Sequence, residues 1–237
     1  MNHVVRAGVG LLLGFVVALV IGRIVIDNPS PVVSKGTLVE NPFPAVDHDP
    51  AAAANLIDAW STWRSATFIV DGTWSRSLDS GVQPLTGPVH IVQRPPRRVV
   101  QRLGSTVELF DDSVASCEPT GDGADPVAPC VAGESNITYQ QRVESELALV
   151  RGYVTGDTRL YDVGPGLISG CYRAELIAVA LGSPWGRWAE FCFDPATGAL
   201  VSSRIRRQSA VDLEIDKVTS TEVSDSDFPA GRFSPAG

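Results

Sequence analysis

The sequence has few of the residues on which metal and redox sites depend. Its 237 residues include three histidines, one methionine and four cysteines, and no C-x-x-C pair occurs. Zinc ribbons and thioredoxin-like redox sites need that spacing, so neither class has support. We therefore expect no metal ion and no cofactor.

Basic residues are also scarce relative to acidic ones. The chain carries 19 Lys and Arg against 27 Asp and Glu, a formal net charge of −8. Nucleic-acid binding needs a basic surface for the phosphate backbone, so we expect no nucleic-acid partner. The sequence also has no G-x-S-x-G nucleophile motif and no dinucleotide-binding glycine pattern within a βαβ unit. We therefore do not expect an enzyme.

One apolar run is long enough to cross a membrane. Residues 7–26 contain a single charge, Arg23, close to the end of the run. Twenty helical residues span the roughly 30 Å hydrocarbon core of a bilayer. Arg6 precedes the run and Asp27 follows it, which favours an amino terminus inside the cell. The sequence thus predicts a cytoplasmic stretch 1–6 and a single-pass anchor, with a cleaved signal peptide as the alternative.

Two segments without clear periodicity flank the central region. Residues 27–49 contain four prolines and predict an extended extracytoplasmic spacer. An edge strand around 36–40 is the alternative. Residues 223–237 are rich in Ser, Asp, Pro and Gly and predict a flexible tail. One folded domain is therefore expected over 50–222.

The four cysteines indicate an oxidising compartment. Cys117, Cys130, Cys171 and Cys192 allow three connectivities, of which 117–130 with 171–192 is preferred. The first pair flanks a turn-rich loop that a disulfide would close. Disulfides persist outside the cytoplasm, which agrees with an anchored extracytoplasmic domain.

The second cysteine pair also follows from strand geometry. Apolar residues occupy even positions in 172–176 and odd positions in 188–193, so Cys171 and Cys192 share the polar face of a hairpin. Pairing them places Arg173 opposite Glu190 and Tyr172 opposite Phe191. Such cross-strand pairs stabilise a hairpin, so they support this register.

The central region predicts two helices and ten strands. Asp49 and Pro50 suit a helix start, and Leu56, Trp60 and Trp63 then recur at i, i+4 and i+7. A second helix is predicted over 141–150. The predicted strands are 67–75, 87–93, 98–103, 106–110, 113–117, 158–163, 170–177, 187–193, 200–206 and 211–218. This order indicates an α+β fold: one large, curved, unclosed antiparallel sheet with helices on its concave face.

The last predicted strand alternates strictly between apolar and acidic residues. Val211, Leu213 and Ile215 alternate with Asp212, Glu214 and Asp216. We expect the apolar set to be buried and the acidic set to face water. A three-residue turn would then set Arg204 opposite Glu214 and Arg206 opposite Asp212. The acidic run is accordingly interpreted as surface ion pairs rather than as a metal site.

Four short segments resemble the LolA/RseB-like lipoprotein-localisation fold. They are Gly87–Pro95, Arg97–Arg102, Glu108–Asp112 and Phe191–Leu200, the last with an Asp-Pro-x-Thr-Gly turn. The resemblance extends over about 50–225. It implies a half-barrel sheet covered by helices that binds acyl chains or lipidated proteins in the periplasm. This chain would be a membrane-anchored member.

The resemblance and the sequence together predict a tethered, non-enzymatic protein that binds a lipid or lipidated ligand. The expected cavity residues are Leu56, Trp60, Trp63, Phe68, Val70 and Trp74, and a dry core made of the same side chains is the alternative. The candidate headgroup contacts are Arg94, Arg97, Arg98 and Arg102, with a charged strand edge as the alternative. The alternative function is an envelope sensor that contacts another envelope protein.

Overall fold

The computed structural model describes residues 45–117, 130–177 and 183–228, and of Cys130 only the backbone. The predicted stretch 1–6, the anchor 7–26 and the spacer up to residue 44 lie outside the described residues. Within the described ranges, no helix combines the length and the apolar character that a membrane span requires.

The described residues form two helices and eleven strands. The helices are α1 (Pro50–Ser65) and α2 (Tyr139–Val154). The strands are β1 (Phe68–Leu78), β2 (Leu85–Arg94), β3 (Arg97–Arg102), β4 (Ser105–Phe110), β5 (Ser113–Cys117), β6 (Cys130–Glu134), β7 (Tyr161–Pro165), β8 (Cys171–Leu176), β9 (Trp188–Phe193), β10 (Leu200–Arg206) and β11 (Ala210–Ser220). The predicted α+β class is confirmed, and β6 is a strand that was not predicted.

Both helices begin at the kind of cap that their sequences encode. The Asp49 side chain accepts a hydrogen bond from the Ala51 N–H at 2.8 Å, and Pro50 occupies the first turn, as predicted. At α2, Thr138 and Gln141 form a reciprocal capping box. These bonds satisfy amide groups that a helix start otherwise leaves unpaired.

All eleven strands form one open antiparallel sheet. Their order is β6-β5-β4-β3-β2-β1-β11-β10-β9-β8-β7, so β1 and β11 join two meanders at the centre. The edge strands β6 and β7 are far apart in this order. The predicted large, unclosed antiparallel sheet is thereby confirmed.

The predicted hairpin of β8 and β9 is confirmed in detail. Cys171 lies opposite Cys192, Tyr172 opposite Phe191, and Arg173 opposite Glu190. Cys171 and Cys192 form a disulfide with their Cα atoms 4.0 Å apart. Cys117 is also disulfide-bonded, and its Cα pairs with that of Cys130 across β5 and β6.

The two helices pack on the same face of the sheet, which we call the helix-side face. Leu56 and Trp60 of α1 and Val150 of α2 share one core with strand residues such as Phe68 and Phe191. The opposite side is called the back face. It carries a smaller apolar cluster made of Val92, Val99 and Phe228, with Ile69 and Val223 beside it.

The predicted orientation of β11 is wrong. The Arg207 N–H donates to the Ala210 carbonyl at 2.8 Å, so these two residues face each other. The turn between β10 and β11 therefore consists of the two residues 208 and 209, whereas three were expected. This one-residue difference sets Arg204 opposite Leu213 and Arg206 opposite Val211. Because side chains alternate between faces, it moves the whole acidic set to the helix-side face.

Burial confirms this inversion. Asp212, Glu214 and Asp216 are only 8%, 7% and 9% exposed, whereas Ile215 is 57% exposed. The acidic run is therefore not a water-facing surface. Arginines pair with two of these carboxylates: Arg76 and Arg207 with Asp212, and Arg102 with Glu214.

Short segments pack at the margins of the sheet. The Asp49 N–H donates to the Val163 carbonyl at 2.8 Å, and the Val46 N–H donates to the Glu175 carboxylate at 3.0 Å. The end of the predicted spacer thus lies along β7. The start of the predicted flexible tail is also ordered, because a 3-10 turn at Asp225–Asp227 leads to Phe228, which is buried on the back face.

Candidate functional site

The helix-side face above β7, β8 and β9 carries a cluster of aromatic side chains. The Trp60 ring lies 5.1 Å from Phe191 and 5.7 Å from Trp185, between ring centroids. Trp185 in turn lies 5.1 Å from Tyr161, whose hydroxyl accepts a hydrogen bond from the Trp185 N–H at 2.9 Å. These contacts fasten α1 to the sheet.

The structure brings all six predicted cavity residues together in this core. Leu56, Trp60, Trp63, Phe68, Val70 and Trp74 are all buried members of one cluster. Leu56, Phe68 and Val70 have no exposed surface. These three side chains are enclosed by their neighbours on all sides.

A row of carboxylates occupies the same face along β11. Two arginines hold Asp212: Arg76 at 2.6 and 2.9 Å and Arg207 at 3.2 Å. Because these hydrogen bonds outweigh the effect of burial, the pKa of Asp212 lies below its usual value. Arg102 forms an ion pair with Glu214.

Asp216 is the least compensated member of this row. Its Oδ1 atom is buried without a hydrogen-bond partner. Burial, followed by the charge of Glu214, raises the pKa of Asp216 to about 7, and Arg102 acts in the opposite direction. Gly72 lies directly opposite on β1, where a Cβ atom would collide with the Asp216 carboxylate. The missing side chain at position 72 makes room for that group.

The four candidate headgroup arginines divide between the two faces. Arg94 pairs with Asp225 and Arg97 with Glu108, and the Arg97 guanidinium lies 4.2 Å from the Phe228 ring centroid on the back face. Arg98 and Arg102 lie on the helix-side face, since their strand partners do. The four therefore do not form a single basic surface.

Arg98 is the arginine that lies under α1. Its guanidinium carbon is 5.4 Å from the Trp63 ring centroid, and its Nε atom is buried without a hydrogen-bond partner. Burial, followed by the charge of Arg64, lowers the pKa of Arg98 to about 10. Arg64 is only 4% exposed, and its Nε lies 3.0 Å from the Glu146 carboxylate. Arg64 was not among the predicted site residues, because a single arginine near a helix end carries no distinctive pattern.

Neither helix is long enough to cross the whole sheet. Eleven strands at about 4.8 Å spacing are roughly 50 Å wide, whereas a helix of 16 residues is about 24 Å long. Both helices pack against β7. On the far side, the helix-side face of β3, β4 and β5 carries Val100, Val107, Leu109 and Val114, none of them fully buried. We call these four residues the open strip.

The chain is similar to solved structures in fold. No family model and no curated protein matches the sequence. A LolA superfamily protein from Nitrosomonas europaea is 7% identical, with a TM-score of 0.33 over 75% of this chain and 97% of the other. The lipoprotein LppX of Mycobacterium tuberculosis is 15% identical, with a TM-score of 0.38 over 71% and 94%.

A third similar structure is the Pseudomonas aeruginosa MucA/MucB complex, which is 14% identical, with a TM-score of 0.41 over 76% of this chain and 61% of the other. The first of these structures is named as a LolA superfamily protein, and the sequence motifs resemble that family.

Proposed function

We propose that this protein is an extracytoplasmic, non-enzymatic binding protein that holds a lipid or lipidated ligand against the open strip. The observation that carries the proposal is the inverted burial of β4. Glu108 on the back face is 2% exposed, whereas Val107 on the helix-side face is 38% exposed. A strand that buries its carboxylate and exposes its valine presents an apolar surface, and such surfaces favour binding.

The neighbours of Val107 extend this surface across three strands. Val100 of β3 lies directly opposite Val107, and Leu109 of β4 lies directly opposite Val114 of β5. The strip therefore continues from the margin of the helix-covered core toward the edge of the sheet. An acyl chain laid along it would bury apolar area at about 25 cal/mol per Å².

The cellular placement is part of this proposal. The disulfide between Cys171 and Cys192 agrees with an oxidising compartment. The apolar run 7–26 would tether the domain to the membrane. A tether keeps the strip close to a bilayer, which is a source of lipid ligands.

The proposal is tested by titrating the purified full-length protein, held in amphipol, with a fluorescent fatty acid. Wild type should bind saturably, and Val107→Lys should weaken binding about tenfold or more, because a charge would face the acyl chain. The matched control is Phe110→Lys, which places the same charge on β4 at a back-face position that is 51% exposed. This control should bind within about twofold of wild type.

Circular dichroism of all three proteins establishes that the fold is retained. Absence of saturable binding by wild type, or equal weakening by both substitutions, would overturn the proposal. If instead an apolar segment of an envelope protein binds while the fatty acid does not, the interaction role takes its place.

A further inference from the structure

The open strip leads directly to Arg98, a partly buried arginine whose Nε atom is buried without a hydrogen-bond partner. Arg98 lies on the same face of β3 as Val100, two residues along the strand, and its opposite residue on β4 is Leu109. The Arg98 side chain then reaches under α1, toward Trp63 and Arg64. An elongated ligand on the strip would thus meet a positive charge at its helix-covered end.

The charges around Arg98 do not balance. Arg64 and Arg98 both approach the Trp63 ring, at 5.2 and 5.4 Å from its centroid. Glu146 is the carboxylate at this position, and it is already engaged by the Arg64 Nε at 3.0 Å and by the Trp60 Nε1–H at 2.8 Å. No carboxylate of the described residues lies within ion-pair distance of Arg98.

The remaining groups near Arg98 do not neutralise it. The Tyr139 hydroxyl donates to the Arg64 carbonyl at 2.9 Å, and burial raises the pKa of this tyrosine, so it stays uncharged. Glu214 is held by Arg102. Withdrawing an unpaired charge from water is unfavourable even in part, so a partly buried guanidinium without a carboxylate beside it favours an anionic partner.

We propose that Arg98, with Arg64 beside it, binds the anionic group of the ligand, a carboxylate or a phosphate. A guanidinium presents a planar fork of donors that matches either group. The apolar part of the ligand then lies on Val100, Val107 and Leu109. This inference rests on the proposed function and narrows its ligand to an anionic amphiphile.

The test compares a fluorescent fatty acid with its methyl ester, which has the same chain but no charge. The full-length wild type should bind the acid about tenfold more tightly than the ester, as expected for a hydrogen bond to a charged group. Arg98→Gln should reduce acid binding to the level of the ester and leave ester binding unchanged. The control is Arg94→Gln on the back face, which should keep the full preference for the acid.

The outcomes separate this inference from the proposed function. Equal binding of acid and ester by wild type overturns the anion site and leaves the strip intact, and this comparison needs no variant to fold. If neither probe binds, the proposed function fails, and calorimetry with inorganic phosphate then tests the anion site alone. A phosphate signal that Arg98→Gln abolishes supports a site for a free anion, and the absence of a signal overturns it.

Discussion

The aromatic cluster and the carboxylate row occupy the same face of one sheet, and β10 lies between them. The first is held by ring contacts such as Trp60 with Phe191, whereas the second is held by ion pairs such as Arg76 with Asp212. Apolar burial is nearly independent of pH, whereas the energy of a buried carboxylate depends on its proton. We therefore expect the two regions to respond to different perturbations.

The largest effect is expected from a cavity in the aromatic cluster. Trp60→Ala would remove the ring that contacts Trp63, Trp185, Phe191 and Phe193. Truncations of this kind lower the free energy of unfolding by about 3–5 kcal/mol. Denaturant unfolding measures this loss of stability. The control is Leu149→Ala, at an exposed position of α2, which should change the free energy of unfolding by less than about 0.5 kcal/mol. A small loss for Trp60→Ala would show that the cluster does not hold the helices.

The next effect concerns the hairpin beneath the aromatic cluster. Replacing both Cys171 and Cys192 with serine removes the disulfide between β8 and β9. The free energy of unfolding should fall by about 2–5 kcal/mol, because the unfolded chain gains freedom. Non-reducing peptide mapping of the wild type provides the check on pairing, and a 117–171 or 117–192 linkage would contradict the register.

The carboxylate row should give the protein a pH-dependent stability. A carboxyl group whose pKa is raised in the folded state binds its proton more tightly there, so folding is favoured at low pH. That advantage is lost as the pH rises through about 7, the pKa of Asp216. Asp216→Asn should therefore stabilise the protein at pH 8 by roughly 2–4 kcal/mol and have little effect near pH 4.

Unfolding free energies of wild type and Asp216→Asn across pH 4–8 test this expectation. Asp157→Asn serves as a comparison, because Asp157 is an exposed carboxyl in the turn after α2. A pH profile that Asp216→Asn leaves unchanged would show that Asp216 is ionised at neutral pH at no cost to folding.

The smallest effect distinguishes the two possible orientations of β11. Ile215→Thr should change the free energy of unfolding by less than about 0.5 kcal/mol, because this side chain faces water. The orientation expected from the sequence would instead bury Ile215, and the same substitution would then cost well over 1 kcal/mol.

The prediction for β11 was right about the strand and wrong about which of its faces is buried. Its alternation predicted a strand correctly, since strict period two is a local property. The alternation did not decide which face is covered, because Arg76 and Arg102, which offset the acidic set, are 136 and 112 residues away in the chain. A turn of two residues in place of three was enough to invert the assignment.

Local signals were sufficient elsewhere. Asp49 and Pro50 predicted the start of α1, and the opposed apolar positions of β8 and β9 predicted their register. In contrast, β6 reads Cys-Val-Ala-Gly-Glu, in which one β-branched residue, no aromatic residue and an interrupting glycine give little indication of a strand. The proximity of Arg64 to Arg98 could not be read from the sequence either, since it depends on how α1 crosses the sheet.

The pairing of residues 45–49 with β7 has a mechanical consequence. The chain enters the domain through this segment, which is bonded to the sheet by the Val46–Glu175 and Asp49–Val163 hydrogen bonds. A force applied to the chain before residue 45 would therefore act first on these two hydrogen bonds and on β7, and only then on the helix-covered core. Such a force would act far from the open strip, because β3, β4 and β5 lie toward the opposite end of the strand order from β7.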